Sequence, residues 1–349
     1  MSPSMRNRFL ALAATVLTLA ACDAPRDSIG DLDEIYVFAD SLDWIEYEAP
    51  VRELFAGEVL TPVVEPEFLV RWRPIEQLSQ YKTRKNIFLL ARLDSNLPVS
   101  EQVKANLNET VVEGIRSGDY FYIPQQNAWA RGQYVLFLVA PTRDAMLQRL
   151  YDLGELAYDD FADSYYRRLR ERMFKRYEQT DVQEYIEQYY PFTIRVQHDY
   201  RVVDESVEER YVWLRRTNNR NDIDRSILVH WIPNDDSIRI GYDWIVAQRN
   251  RLADSLFAGD KVVEEETTLQ QTRFGSFNAL RLEGTWMNPE RVVGGPFRTI
   301  VFIDRESDLI YFVDMYVQAV GKRKKPFLDQ LEVLVHTLKP RSELQAAAE

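Results

Sequence analysis

The sequence predicts an α+β protein of two lobes, each a mainly antiparallel sheet packed with helices. Three observations carry this. Short runs rich in Val, Ile, Phe and Tyr recur on both sides of a long charged stretch. That stretch, 144–176, is acidic at first and strongly basic from Arg167 onward, the order that complements a helix dipole. Each half then closes with a hairpin pattern leading into an amphipathic helix, at 120–150 and at 297–338. Two copies of one unit would produce this, although no residue-level repeat accompanies it.

The elements follow in order. A strand at 35–39 precedes Ser41, a helix cap, and a helical pattern through Trp44, Ile45, Leu54 and Phe55 that Pro50 breaks. Strands are expected at 68–72, 86–93, 119–123 and 133–140, after which Pro141-Thr142 ends the sheet and caps the long helix. Asp163 with Arg167 and Glu171 with Lys175 stand at i, i+4 along it, acid first, and Gly154 marks a bend. Thr180-Asp181-Val182-Gln183 is a capping-box pattern for a second helix that stops before Pro191. The second half reads as strands at 192–196, 210–216 and 226–232. A helix at 242–257 follows, with a face of Trp244, Ile245, Gln248, Leu252, Leu256 and Phe257, and Gly259 stops it. Strands at 264–272, 278–286, 297–303 and 309–317 come next. In the closing helix, 326–338, Phe327, Leu331, Leu334, Val335 and Leu338 share one face, which must pack on a sheet.

Ahead of the lobes, Arg6 and Arg8 precede an uncharged run, 9–21, which is too short to cross a bilayer, since that takes about 20 apolar residues. Leu19-Ala20-Ala21-Cys22 ends it and holds the single cysteine of the chain. These residues resemble the lipobox of bacterial lipoproteins. The resemblance implies cleavage before Cys22 and diacylglycerol on its thiol, and hence a membrane-anchored protein of the bacterial cell envelope. Two acyl chains meet the requirement for stable anchoring. Residues 22–34 hold five acids, Pro, Gly and Ser, and read as a tether that spans roughly 20 Å on average and about 40 Å fully stretched. The expected organisation is a leader at 1–21, the tether at 22–34, a first lobe with its connecting helix at 35–179, a second lobe at 180–340 and a tail at 341–349.

With 43 Lys and Arg against 55 Asp and Glu, the chain is strongly acidic, and loss of the leader removes two more positive charges. Nucleic acid is thereby disfavoured as a partner, because its recognition rests on basic patches. An apolar fraction of 46% argues for packed globules rather than disorder. One cysteine allows no intramolecular disulfide, so stability must come from burial.

Catalytic signals are sparse. His198 lies in a polar turn, His230 alternates with Leu228 and Ile232 along a strand, and His336 is placed on the solvated face of the last helix. No two stand at metal-ligating spacing, so neither a metal nor another cofactor is expected. Gly275-Ser276-Phe277 is not a nucleophile elbow, and Gly321-Lys322 lacks a phosphate-binding loop. No catalytic residue is nominated, and the balance leans away from an enzyme. Two groups invite a contact reading. Trp213, Arg215 and Arg216, with Trp286, suit ligand or protein contact, beside the plainer reading of the tryptophans as core. Lys322 and Arg323 begin a run of four basic residues that suits an anion or anionic lipid, beside the plainer reading of a solvated turn paired with acids.

Trp213-Leu214-Arg215-Arg216, Gly284-Thr285-Trp286 and Gly294-Gly295-Pro296-Phe297 resemble, in order, stretches of an uncharacterised bacterial lipoprotein family, domain-of-unknown-function family 4837 (DUF4837). Thr285 and Val293 depart from its pattern. Asn127-x-Trp129-Ala130-x-x-Gln133 is similar to its N-terminal signature, and Lys322-Arg323 with Leu331-Glu332 to its C-terminal one, so the likeness is expected to span nearly all of the mature chain. It implies envelope localisation and no known activity. The two glycines and Pro296 are expected to form a tight turn feeding the strand at Phe297. Separately, the element order of the second half is similar to the PsbP-like α/β/α sandwich, a likeness of fold that implies no function.

The reading is therefore a lipid-anchored envelope protein that binds or scaffolds at a membrane surface, partnered by the membrane through Cys22 and by an envelope protein or lipid. Two rivals stay open: a hydrolase of envelope glycans or lipids that works through carboxylates, and a carrier of an apolar ligand.

Overall fold

The computed structural model describes residues 26–218, 223–235 and 237–346. The leader and Cys22 lie outside the described residues. The chain forms two units, one of residues up to Gly57 together with Pro66–Arg168, the other of Glu58–Glu65 together with Leu169 onward. The α+β class is as the sequence predicts. The division falls at Arg168/Leu169, inside the long helix, rather than at the 179/180 position expected from the cap at Thr180.

In the first unit, Ile35-Tyr36-Val37-Phe38-Ala39 and the similar apolar runs at 86–92 and 134–140 become strands with both faces covered. The strands are β1 (Glu34–Ala39), β2 (Leu69–Arg73), β3 (Asn86–Arg92), β4 (Tyr122–Gln126) and β5 (Tyr134–Ala140), in the order β2-β1-β3-β5-β4. Here the expectation of mainly antiparallel pairing is corrected: β1 with β2, β1 with β3 and β3 with β5 are parallel, and only the β4–β5 ladder is antiparallel. The cause is helical crossovers. α1 (Ser41–Phe55) lies between β1 and β2, and α2 (Pro98–Lys104) and α3 (Glu109–Ser117) lie between β3 and β4. Val99, Val103 and Ile115 pack on one face of the sheet with Phe38, Leu89 and Val135. On the other face, Phe55 of α1 and Phe161 of α4 (Arg143–Phe174) meet Phe88 at centroid distances of 4.9 and 5.3 Å. Pro50 lies inside α1 without ending it.

The chain is already pinned at residues 26–34, which corrects the expected tether. Ser28 N–H donates to the Arg131 carbonyl and Ile29 N–H to that of Thr83, both at 2.9 Å, and the Asn86 amide holds the Leu32 carbonyl at 2.7 Å.

The second unit includes α5 (Thr180–Tyr189) ahead of its sheet. Its strands are β6 (Arg201–Ser206), β7 (Tyr211–Asn218), β8 (Ile223–Pro233), β9 (Lys261–Phe274), β10 (Phe277–Asn288), β11 (Val293–Asp304) and β12 (Leu309–Ala319). They form one antiparallel sheet in the order β9-β10-β11-β12-β8-β7-β6, as expected. Alternation sends Leu228, Phe297, Phe312 and Tyr316 toward α6 (Tyr242–Leu256), whose Ile245, Val246, Leu252 and Ala253 complete that core. The alternate residues face α7 (Lys325–Val335), which packs on β8 and β12. On that face too, Trp231 meets Tyr190 and Phe192. The unit is thus a three-layer α/β/α arrangement. Both edge ladders are irregular: the register slips between Val263 and Thr267 in β9 and between Trp213 and Leu214 where β7 meets β6.

Several local expectations change. Gly294, Gly295 and Pro296 lie within β11 opposite Met287, Trp286 and Thr285, not in a turn. A Cβ on Gly295 would come 1.8 Å from the Val317 carbonyl oxygen, so its small size serves close approach of backbone. Pro296 is tolerated because the β11–β12 ladder begins one residue later, at Phe297. The expected tail contains a helix, α8 (Arg341–Ala346), tied down by Ser342 donating to Asp304 at 2.6 Å. The two units have different sheets, which removes the duplication suggested by their similar endings. Among the described residues, no helix is long and apolar enough to cross a membrane.

Candidate functional site

Trp213, Arg215 and Trp286 converge on the α6 side of the second sheet. The tryptophans are core residues, 8% and 2% exposed, in an aromatic chain: Trp213 to Phe257 at 4.9 Å, Phe257 to Tyr316 at 4.9 Å, Tyr316 to Trp286 at 5.4 Å. Arg215 lies 5.4 Å above the Trp213 ring and is clamped by both its Nε and a terminal nitrogen to Asp224. Arg216, on the opposite face by alternation, pairs with Asp199. The two tryptophans are closed off from solvent, whereas Arg215 and Arg216 are half-buried and held by Asp224 and Asp199.

Beneath α6 lies a charged centre that sequence reasoning missed. Arg249 Nε meets Asp314 Oδ1 at 3.0 Å, and Thr299 donates to the same oxygen at 2.5 Å. The guanidinium also stacks 4.0 Å from the Phe297 ring centroid. Burial raises the pKa of neighbouring Asp260, against the opposing Asn288 hydrogen bond and Arg249 charge. Both terminal nitrogens of Arg249, Asp314 Oδ2 and the indole N–H of Trp286 have no hydrogen-bond partner among the described residues. Phe297 borders this centre directly, and Trp213 and Trp286 share the core around it. With Arg249 and Asp314 closed off from solvent, it can orient its neighbours but cannot meet a substrate directly.

The other face carries a second ionic cluster. Glu332 on α7 is reached by Arg298 at 3.2 Å, His336 at 3.1 Å and Arg281 at 3.5 Å. Burial opposes its ionisation, but the two arginines and His336 outweigh burial and hold it well below the usual carboxylate range. His336 is exposed as expected, yet it also stacks on Phe274 at 5.2 Å. His230 is buried, with Nδ1 2.8 Å from the Arg210 carbonyl, and burial lowers its pKa to about 4, so the ring is neutral and Nδ1–H donates. His198 stands in its turn, 4.0 Å from Asp199.

The basic run already has an anion. Glu65 accepts from the Lys324 N–H at 2.9 and 3.0 Å and from the Lys325 N–H at 3.0 Å, at the N-terminus of α7, with Arg323 3.8 Å away. Lys325 is buried and pairs with Asp329 at 2.8 Å. Lys322 remains exposed.

In the first unit, the carboxyl ends of β1 and β3 flank the crevice where open parallel sheets usually bind ligands. Asp40 fills it, accepting from Val99 N–H at 2.8 Å and from Ser100 N–H and Oγ–H at 3.2 and 3.1 Å. Asp43 takes Arg92 Nε on both oxygens at 3.2 and 3.1 Å, and Arg92 also reaches Asp94 at 2.9 Å. A shallow cavity of about 300 Å³ elsewhere in this unit is lined by Pro50, Leu54, Leu150 and Tyr151 with Glu53 and Glu155. Among the described residues, no group of three or more His, Cys, Asp or Glu is placed to hold a metal ion.

Residues 179–337 match the model of the family described as Domain of unknown function (DUF4837), as the resemblance in the second half led one to expect. Residues 28–174 match a different model, Domain of unknown function (DUF8532), so the N-terminal signature around Asn127 and Trp129 lies outside the DUF4837 match. No protein of curated function matches the chain. Among solved structures, LpqN of Mycobacterium tuberculosis, described as involved in cell envelope biogenesis, is similar at 12% identity over 42% of this chain and 82% of its own, with a TM-score of 0.27. The Ran-binding protein Mog1p of Saccharomyces cerevisiae is similar at 11% identity over 43% and 90%, with a TM-score of 0.28.

Proposed function

We propose that this chain is a lipid-anchored protein of the bacterial cell envelope that binds a partner, protein or lipid, at a membrane surface. The observation that carries the reading is Leu19-Ala20-Ala21-Cys22 at the end of the uncharged run 9–21, with small residues directly before the sole cysteine. A diacylated Cys22 supplies the two chains that stable anchoring needs. Binding is favoured over hydrolysis because five buried carboxylates are already engaged: Asp40 by α2, Asp43 by Arg92, Glu65 by α7, Asp314 by Arg249 and Glu332 by its arginines. A catalytic pair would need at least one carboxylate open to substrate.

Intact-mass measurement of protein extracted from membranes tests the anchor. The expected mass is that of residues from Cys22 onward plus lipid, and Cys22→Ser is expected to leave an uncleaved or unlipidated precursor, because the thiol is the acylation site. An unmodified Cys22 in the membrane-extracted protein overturns the reading. Native pull-down of the lipidated chain, with proteins and lipids identified together, then tests the partner.

A further inference from the structure

Residues 26–34 fix where the anchor meets the first unit. Asp27 bridges Arg131, just before β5, through a side-chain pair of 2.6 Å, and Arg131 N–H donates to the Arg26 carbonyl at 2.9 Å. Ile29 lies beside Arg84, just before β3, and Lys85 Nζ donates to the Ser28 carbonyl at 3.1 Å. Gln133 ties the same turns together by donating to the Lys82 and Arg84 carbonyls, both at 2.7 Å. All of these residues precede parallel strands, so the chain joins the fold at the amino edge of the sheet. From Cys22 to Arg26 is four residues, which reach at most about 14 Å when fully extended. An anchored first unit therefore cannot stand clear of the headgroups.

The amino edge is basic in a chain that is acidic overall. Arg26, Lys82 and Arg131 are exposed, and Arg84 and Lys85 are half-buried. Arg84 stacks over Tyr36 and Tyr81 at 5.4 and 5.7 Å, which fixes its charge at this edge. The acids here are Asp27, bound by Arg131, exposed Asp31, buried Asp33, and Glu34 at the start of β1, which pairs with Arg71 at 2.9 Å. Ile29 adds an apolar side chain, 52% exposed. We infer that this amino edge lies against the membrane, with Arg26, Lys82 and Arg131 on anionic lipid headgroups and the carboxyl-end crevice of β1 and β3 facing away. This inference rests on lipidation of Cys22. β1 alone, six residues long, sets the two edges about 20 Å apart.

The test uses full-length lipidated protein in phosphatidylglycerol vesicles, with an environment-sensitive fluorophore on Ile29→Cys or on Asn96→Cys and a headgroup-attached quencher. Cys22 is acylated and does not compete for the label. The Ile29→Cys label is expected to lose fluorescence and the Asn96→Cys label to keep it. Arg26→Glu with Lys82→Glu, or 1 M salt, where the screening length falls to about 3 Å, is expected to shrink the difference between the two labels without abolishing the loss at Ile29→Cys, because the short tether remains while the orientation is freed. Protein that carries diacylglycerol and floats with the vesicles, yet shows no loss at Ile29→Cys or equal loss at both positions, overturns the inference and leaves the anchor standing. Equal loss in phosphatidylcholine vesicles overturns the anionic-lipid contact. Protein that neither carries lipid nor floats overturns both.

Discussion

Arg249 and Asp314 hold each other at 3.0 Å with side chains only 1% exposed, the most deeply closed charge pair on the α6 side of the second sheet. In such surroundings, desolvation is repaid only by good geometry and further bonds. Thr299 and the Phe297 ring supply part of these.

Removing one partner should therefore cost far more than removing both. Asp314→Ala is expected to lose about 3–5 kcal/mol, because it strands the guanidinium, whereas Arg249→Met with Asp314→Leu should recover most of the loss. Urea unfolding of the single variants and the pair measures this. Additive losses would show that the pair does not act as a unit.

Acid stability should carry the mark of His230. Its pKa is lowered from 6.5 to about 4 in the fold, so the neutral ring is the form that the fold favours. The stabilisation is complete above pH 6.5 and drains as pH falls toward 4, by about 3 kcal/mol in total. Glu332 is also depressed, from 4.5, so its contribution begins to drain only below that pH. His230→Gln should flatten the stability profile between pH 6.5 and 4 and leave the lower limb intact. An unchanged slope in the upper window would assign it to other groups.

Gly295→Ala places a methyl group 1.8 Å from the Val317 carbonyl, which only separation of β11 and β12 can relieve. The expected loss is about 3 kcal/mol or more. Gly57→Ala, whose new Cβ meets only Glu67 at 3.8 Å, should stay within about 0.5 kcal/mol. Thermal melts of the two variants separate close approach from a general intolerance of glycine replacement.

Glu65→Ala withdraws the carboxylate from the first turn of α7. A loss of about 1–2 kcal/mol is expected, in the range of helix caps. Hydrogen exchange at the Lys324 and Lys325 amides should accelerate more than at amides in β12. Uniform acceleration would mean that Glu65 supports the unit as a whole rather than the helix start.

Most strands and the long helices were legible because periodicity reports burial. Strand direction in the first unit was expected to be antiparallel, although the unbroken apolar runs of β1, β3 and β5 mark strands covered on both faces, the habit of parallel sheets. α2 and α3 were passed over because they are short, although Asn108 caps α3 through Val111 N–H and Gly118 ends it at φ +93°, both recognisable signals. The Arg249–Asp314 pair was not legible. Arg249 sits at i+4 from Ile245 on an apolar helix face and Asp314 interrupts an apolar strand, but nothing local joins residues so far apart in sequence. The binding of Lys324 and Lys325 by Glu65 was hidden for the same reason.

The slipped ladders at the two borders of the second sheet have a consequence for crowding. Glu264, Glu265 and Glu266 bulge out of β9, and Arg201, Asp204 and Glu205 charge the opposite border strand. A straight, uncharged border would template a strand from a neighbouring copy. With the chain anchored through Cys22 as proposed, molecules held in one plane would collide far more often than free ones, and the charged side chains and broken register at both borders would keep a dense layer from zipping into continuous sheet.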